Sequence, residues 1–307
     1  MLTQEEKESR RLWIGASDLA RDATGLYGGT LAVLADKIYG SDWEGSPDTE
    51  LGNWCEPHLL DWAGKELSAN IVQRQSRVEH PDYTTRIRAT VDGITSPIDL
   101  KQHGSYPIEA KYVGPGQLRE WTEDEPAAYA IVQVNVQMDC LQAENGYVVA
   151  FLHGIGKRLY KVPRDPDLCA ALRDRARYLW TTYIEPRVMP EITDLVSMSE
   201  AHALRLPKFG LVLGKAVALS PAHAIVADLL DLSGKAKYAE DRFHDGLNNL
   251  MKLALGDAEV GNLPDGSTLV RKEVERKGYT VEPTTYIEMR RVKPRKRKEH
   301  NGTDDND

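Results

Sequence analysis

Cysteine and phenylalanine are scarce in this sequence, with three of each among 307 residues. Cys55, Cys140 and Cys169 lie far apart and form no CxxC pair, so they supply neither a disulfide framework nor a four-cysteine metal site. No stretch approaches the roughly 20 apolar residues of a membrane-spanning helix, and the first residues lack the apolar segment of a signal peptide. We therefore expect a cytoplasmic protein with reduced thiols and no membrane partner.

Basic residues are outnumbered and unevenly spread. The chain has 39 Lys and Arg against 47 Asp and Glu, a net charge of -8, which by itself disfavours a polyanionic partner. Seven of the basic residues, however, lie between Arg290 and Lys298. Without them, 32 Lys and Arg would face the 47 acidic residues, so the sequence predicts an acidic body with a basic tail.

The length and composition are those of a globular protein with one large core and a smaller attachment. We predict a core domain over residues 1–196 and a second module of helices and β-rich segments over 197–290, whose role the sequence does not reveal. Residues 291–307 are basic and then acidic, and we expect this tail to be disordered.

Apolar spacing predicts helices over 51–67, 127–141, 166–184 and near 220–255. Short β-favouring runs between residues 71 and 99, and another over 106–113, predict strands joined by turns. Near the N-terminus, Ser17 is the predicted N-cap of a short helix that buries Leu19 and Ala20.

The strand-rich segment contains a compact set of charged residues. In a strand, residues two apart share one face, so Glu109 and Lys111 of YPIEAKYV point together while Ala110 points away. Asp92 ends a neighbouring predicted strand and can meet them. Metal-assisted phosphodiester cleavage needs hard oxygen ligands for Mg2+ and a cation near the attacking water. A Glu-x-Lys pair is also common on solvated strands, but apolar neighbours such as Ile108 indicate a central strand, where charges need partners.

The ordered motifs LGNWCEP, ATVDGI, IEAKYV and YAIVQVNVQMDCL resemble the YqaJ-type viral recombinases and lambda exonuclease, of the PD-(D/E)XK nuclease superfamily. The resemblance covers roughly residues 10–185. It implies an α/β (α+β) fold in which helices flank a central mixed β-sheet, a restriction-endonuclease-like nuclease core. It also implies a DNA exonuclease that uses two Mg2+ ions, or Mn2+ in their place, and digests linear duplex DNA from 5′ to 3′ in phage-type recombination.

The resemblance gives individual residues roles. It implies that Asp92, Glu109 and the backbone carbonyl of Ala110 bind metal, and that Glu56 lies near the second ion. Catalysis would also involve Lys111, which orients or activates the attacking water.

Two further sites follow from the same resemblance. Gln133 matches the glutamine that lines the active site. The segment RRLWIGASD is similar to the N-terminal motif that contacts a 5′-phosphate, so Ser17 and either Arg10 or Arg11 are the predicted phosphate ligands, and the alignment slightly favours Arg10.

Some assignments have alternatives. The long spacing between Asp92 and Glu109 makes Asp99 a rival for the first carboxylate, although an Asp-Gly pair that ends a strand favours Asp92. Glu56 could be an acid that complements the dipole at a helix start. Gln133 could be a surface residue of its helix.

The expected partners are double-stranded DNA, a single-strand annealing protein and two further copies of the chain in a homotrimer, within a bacterium or a phage-infected host cell. Two other functions remain open: an endonuclease of restriction or repair type, and a DNA-binding recombination factor with an inactive core. The presence of all three residues Asp92, Glu109 and Lys111 disfavours the inactive core.

Overall fold

A computed structural model describes residues 4–40, 45–97, 104–190, 212–235, 241–276 and 284–292. The chain divides into two compact units, Met1–Pro207 and Lys208–Asp307. None of the helices in the described ranges is long and apolar enough to cross a bilayer.

The first unit combines helices with a mixed sheet. Its helices are α1 (Gln4–Arg11), α2 (Ala16–Thr24), α3 (Gly29–Ile38), α4 (Pro47–Glu66), α5 (Ala128–Leu141) and α6 (Pro166–Leu179). Its strands are β1 (Ala69–Val72), β2 (Ser76–Glu79), β3 (Arg88–Val91), β4 (Gly93–Pro97), β5 (Pro107–Val113), β6 (Asn145–Leu152) and β7 (Gly156–Pro163). Five strands form one sheet in the order β1-β4-β5-β6-β7, in which only β5 and β6 are parallel, while β2 and β3 form a separate antiparallel ribbon. The predicted fold class, a central mixed sheet flanked by helices, is confirmed.

Helices cover both faces of the five-stranded sheet. On one face, Leu60 and Ala63 of α4 pack against Ile108 of β5. On the other, α5 lies against β6, and a Cβ at Gly146 would come within 2.6 Å of the Val134 side chain. Because both faces are covered, β5 is a central strand with buried neighbours, and its charged side chains must find partners within the fold.

The chain changes sheets at Asp92. Strand β3 pairs with β2 in the ribbon, whereas β4 pairs with β1 and β5 in the main sheet. The first residue of β4 is Gly93, where a Cβ would lie 2.4 Å from Cγ2 of Ile71. A side chain at residue 93 would force Ile71 to shift, so glycine fits best immediately after Asp92, where the two sheets diverge.

Two predicted helix starts are wrong. Helix α4 begins at Pro47, and the Ser46 side chain accepts a hydrogen bond from the Thr49 N–H at 3.3 Å. Glu56 therefore lies in the middle of α4, which rules out the alternative of an acid at a helix start. Helix α2 is capped at Gly15 rather than at Ser17, because the carboxylate of Asp18 accepts the Gly15 N–H at 2.8 Å.

The predicted helix over 166–184 also changes form before its end. Helix α6 stops at Leu179, and Trp180–Ile184 form a wider π-helical turn.

Leu19 and Ala20 of α2 are fully buried, as predicted.

The second unit contains β8 (Val212–Ala218), α7 (Pro221–Lys235), α8 (Asp241–Leu255), β9 (Ala258–Asn262), β10 (Thr268–Arg276) and β11 (Thr284–Val292). Its sheet has the order β11-β10-β9-β8, and the parallel pair β8 and β9 is connected through the two helices. The helical segment predicted near 220–255 is thus two helices, with residues 236–240 outside the described residues. Strand β11 extends two residues into the predicted tail, and residues 293–307 lie outside the described residues.

Candidate active site

Glu109 and Lys111 of β5 point together towards α5. Glu109 is 2% exposed, and its Oε1 accepts hydrogen bonds from Lys111 Nζ at 2.6 Å and Gln133 Nε2 at 2.5 Å. Lys111 Nζ also donates to Gln133 Oε1 at 2.9 Å. Gln133 is only 8% exposed, so the alternative of a surface helix residue is wrong.

A second glutamine of α5, which was not predicted, holds the other oxygen of Glu109. Gln137 is fully buried, and its Nε2 donates to Glu109 Oε2 at 2.5 Å and to the Thr90 carbonyl at 3.2 Å. Gln133 and Gln137 are four residues apart, the spacing that places two side chains on one helix face. That spacing in VQVNVQ was the signal that could have identified Gln137.

Asp92 connects this pair to the helix-borne acid. Its Oδ2 accepts the Ala110 N–H at 2.8 Å, and its Oδ1 accepts Gln75 Nε2 at 3.2 Å. The same Gln75 amide donates to Glu56 Oε1 at 2.6 Å. Gln75, also not predicted, therefore joins Glu56 of α4 to Asp92. The rival carboxylate, Asp99, lies outside the described residues.

The surroundings of the site raise the pKa values of both Asp92 and Lys111. Burial raises the pKa of Asp92 well above its usual range, and the charges of Glu109 and Glu56 raise it further, against the opposing effect of Lys111. Burial tends to lower the pKa of Lys111, but Glu109, Tyr129 and Asp92 outweigh it and the net pKa is raised. Lys111 is therefore an ammonium group at neutral pH, 5.5 Å from the centre of the Tyr129 ring.

The donor chemistry of the site fits a hard divalent cation. The N–H and C=O of a strand residue point to the same edge, so the Ala110 carbonyl faces the side on which its N–H binds Asp92. Two carboxylates and a carbonyl suit Mg2+, which commonly retains several water ligands. Among the described residues, no group of three or more Asp, Glu, His or Cys side chains is placed to hold a metal ion.

The residues of the predicted 5′-phosphate site lie near the N-terminus, outside this hydrogen-bonded network. Ser17 is half-buried in the first turn of α2, and Arg10 is exposed in the last turn of α1. Arg11 is occupied at the end of α3, where it donates to the carbonyls of Ile38 at 2.7 Å and Lys37 at 3.2 Å. This leaves Arg10 as the better candidate of the two arginines, and the phosphate site stays a prediction.

No protein-family model matches the sequence, and no curated protein matches it. Solved structures with a similar fold include the alkaline exonuclease LHK-Exo from Laribacter hongkongensis, 18% identical with a TM-score of 0.47, which covers 60% of this chain and 93% of that chain. The complex of LHK-Exo with dAMP gives 17% identity and the same TM-score and coverage. A phage-related exonuclease from Haemophilus somnus is 12% identical with a TM-score of 0.42, covering 59% of this chain and 97% of that chain. The likeness is one of fold and assigns no role to any residue.

Proposed function

We propose that this chain is a Mg2+-dependent deoxyribonuclease that hydrolyses phosphodiester bonds of linear duplex DNA from the 5′ end. The observation that carries the proposal is the convergence of Asp92, Glu109 and Lys111, with both oxygens of Glu109 fixed by side chains of α5. A structural ion pair between Glu109 and Lys111 would not need a second carboxylate at Asp92, whose raised pKa makes its ionisation costly.

Asp92, Glu109 and the Ala110 carbonyl would hold one ion, and Glu56 would support a second. When bound, such ions polarise the phosphate and make a coordinated water a stronger nucleophile. The chain itself contributes Lys111, whose side chain is 23% exposed and so accessible to a substrate. Because its pKa is raised, Lys111 is not the proton acceptor at neutral pH. It orients the water and stabilises the negative charge that develops on the phosphate.

The 5′ polarity is supported by the N-terminal residues. An arginine and the N–H groups of a helix N-terminus together suit a terminal phosphate, and Arg10 and Ser17 supply both. The homotrimer, the annealing partner and the role in recombination belong to the same proposal and derive from the motif resemblance.

A cleavage assay tests this function. Linear duplexes with 5′-phosphate or 5′-hydroxyl ends and a covalently closed circle are incubated with Mg2+ or EDTA. We expect Mg2+-dependent loss of the 5′-phosphorylated linear duplex alone, and a decrease in kcat of about 100-fold or more for Lys111→Ala, as for removal of other charge-stabilising donors. Lys161→Ala, an exposed lysine on β7, serves as the matched control and should cleave normally.

Other outcomes favour other functions. Cutting of the closed circle would indicate an endonuclease. Binding of DNA without cleavage under any metal condition would indicate a recombination factor with an inactive core. Full activity of Lys111→Ala would contradict the assigned role of the lysine.

A further inference from the structure

Two arginines and two tryptophans form a cluster beside the β2–β3 ribbon. The guanidinium of Arg88 lies 4.0 Å from the centre of the Trp13 ring, and that of Arg86 lies 5.9 Å from Trp13 and 5.2 Å from Trp180. The backbone holds them in register, since the Ile14 N–H donates to the Arg86 carbonyl at 2.8 Å and the Arg88 N–H donates to the Ile14 carbonyl at 3.0 Å. Trp13, Arg86, Arg88 and Trp180 are called the arginine–tryptophan cluster below.

The backbone of Arg86 is not one that an arginine prefers. Its φ of 55° lies in the left-handed region, which costs a residue with a Cβ about 1 kcal/mol relative to glycine. The residue is nevertheless exposed, and it forms no ion pair with the described residues. This conformation ends the 3-10 turn Tyr83–Thr85, where the Arg86 N–H donates to the Tyr83 carbonyl at 3.2 Å, and it leaves an exposed guanidinium beside two aromatic rings.

The ribbon leads from this cluster to the carboxylates. Along β3, burial alternates, so that Ala89 and Val91 face α5 while Arg88, Thr90 and then Asp92 follow the open face. Arg77 of β2 is exposed opposite Thr90. The four steps from Arg88 to Asp92 span about 13 Å at about 3.3 Å per strand residue.

We propose that the open face of the ribbon and the arginine–tryptophan cluster form a binding site for the phosphate backbone of DNA, a few nucleotides from the bond that is cleaved. The proposal rests on the nuclease function proposed above. One strand of a duplex advances about 3.4 Å along the axis per nucleotide, so Arg88 would meet a phosphate about four nucleotides from Asp92.

The chemistry of the cluster suits a phosphate. A guanidinium group over a tryptophan ring, as Arg88 is at 4.0 Å from the centre of Trp13, is weakly hydrated and loses less freedom on binding an anion. Arg88 also pairs with Glu79, so it would share its donors between the carboxylate and a phosphate, whereas Arg86 is available in full. The chain has a net charge of -8, so a polyanion would be attracted only to a local group of basic residues such as Arg77, Arg86 and Arg88.

The test measures DNA affinity in the Lys111→Ala background with Mg2+, by anisotropy of a labelled 20-base-pair duplex over a series of salt concentrations. We expect Arg86→Gly combined with Arg88→Gln to raise the Kd about tenfold at physiological salt and to reduce the slope of log K against log salt by about 1.8, or about 0.9 for each lost phosphate contact. Arg158→Gln, a partly exposed arginine on β7, is the matched control and should change neither quantity.

The outcomes separate this proposal from the nuclease function. If the wild type cleaves DNA while the double variant binds with unchanged affinity and salt slope, the binding site is wrong and the function stands. If the wild type does not cleave DNA but the double variant binds DNA more weakly, the nuclease function is wrong and the binding site stands. Should the double variant fail to fold by circular dichroism, Arg86→Gly alone carries the test, because glycine tolerates this φ. Its slope must fall by about 0.9, and an unchanged slope overturns the proposal.

Discussion

Glutamine amides supply most of the hydrogen bonds to the carboxylates of the site. Gln133 and Gln137 hold the two oxygens of Glu109, and Gln75 spans Asp92 and Glu56. An amide orients a carboxylate without neutralising it. Apart from the ion pair of Glu109 with Lys111, these hydrogen bonds fix the carboxylates in position without a compensating charge, as the proposed metal ligands require.

Gln137 should be needed for activity although it is buried behind the site. Gln137→Leu removes the donor to Glu109 Oε2 and to the Thr90 carbonyl, and unpaired buried acceptors cost about 1–3 kcal/mol in free energy of unfolding. Loss of the orientation of Glu109 should also lower activity by about 10- to 100-fold, as for other groups that orient a metal ligand. DNA cleavage rates and denaturant unfolding measure the two effects.

The matched control for Gln137→Leu is Gln117→Leu, since Gln117 contacts Tyr27 rather than Glu109. It should leave cleavage unchanged. Wild-type cleavage by Gln137→Leu would show that Glu109 does not need this support.

The position of a site residue could be predicted from the sequence where the residue lies in a regular strand or helix. The two-residue repeat of a strand predicted that Glu109 and Lys111 share one face, and in the structure their side chains are hydrogen-bonded to each other. Gln75 lies between β1 and β2 with a φ of 54°, in a turn that has no repeat from which its direction could be predicted. Its partners are distant in sequence, so only the fold brings it to Asp92.

At the scale of elements, the decisive feature is the change of sheet at Asp92. The two strands on either side belong to different sheets, and the backbone between them must pass close to β1. Gly93 permits this approach, because any side chain there would meet Ile71 and Ile108. The glycine of the Asp-Gly pair is thus favoured by packing against Ile71 and Ile108 as well as by the turn.

Gly93→Ala should destabilise the first unit by about 1–3 kcal/mol, the usual range for overpacking. The new Cβ would lie 2.4 Å from Cγ2 of Ile71 and 3.3 Å from Cγ2 of Ile108. Gly116→Ala is the control, since a Cβ there meets nothing within 4 Å. Denaturant unfolding should show a loss for Gly93→Ala and little change for Gly116→Ala.

A double-mutant cycle with Ile71→Ala distinguishes a clash from a general backbone effect. If the clash with Ile71 is the cause, the double variant should be more stable than the sum of the two single changes predicts. Additive losses would mean that the cost of Gly93→Ala arises elsewhere.

Elements with a long regular repeat were predicted well, and their ends were not. The helix predicted over 127–141 starts one residue later, at residue 128, and ends at residue 141 as predicted. The N-cap at Ser17 was wrong because a carboxylate three residues beyond the cap can bond the cap N–H from within the helix. The helical segment near 220–255 was predicted without inner bounds, because apolar spacing gives the extent of a helical region but not the bounds of each helix.

For the whole molecule, the buried Asp139 and the half-buried Asp92 show how charged groups can serve stability in one place and function in another. Asp139 accepts hydrogen bonds from Arg164 and from Arg173, the latter at 2.6 Å, and lies 3.2 Å from His80. Burial raises its pKa, but the arginines outweigh burial and the net pKa is lowered. Asp92 has the opposite balance, with a pKa raised by burial and by other carboxylates.

The two aspartates should therefore respond with opposite signs to replacement by asparagine in EDTA. A raised pKa at Asp92 means that ionisation costs stability above the folded-state pKa, so Asp92→Asn should increase the free energy of unfolding near pH 8. The gain should shrink as pH falls through that raised pKa, where the native carboxyl is already protonated. A lowered pKa at Asp139 contributes stability above its unfolded value of 3.8, so Asp139→Asn should destabilise by about 3 kcal/mol near pH 8.

Tryptophan fluorescence is the appropriate measurement, because all six tryptophans precede Lys208 and report on the first unit alone. A urea titration at about pH 8 and again at about pH 5 gives the sign of each change and its dependence on pH. Destabilisation by Asp92→Asn at the higher pH would contradict the electrostatic account of the site. A gain there, together with loss of cleavage, would show that this carboxylate is retained for catalysis at the expense of stability.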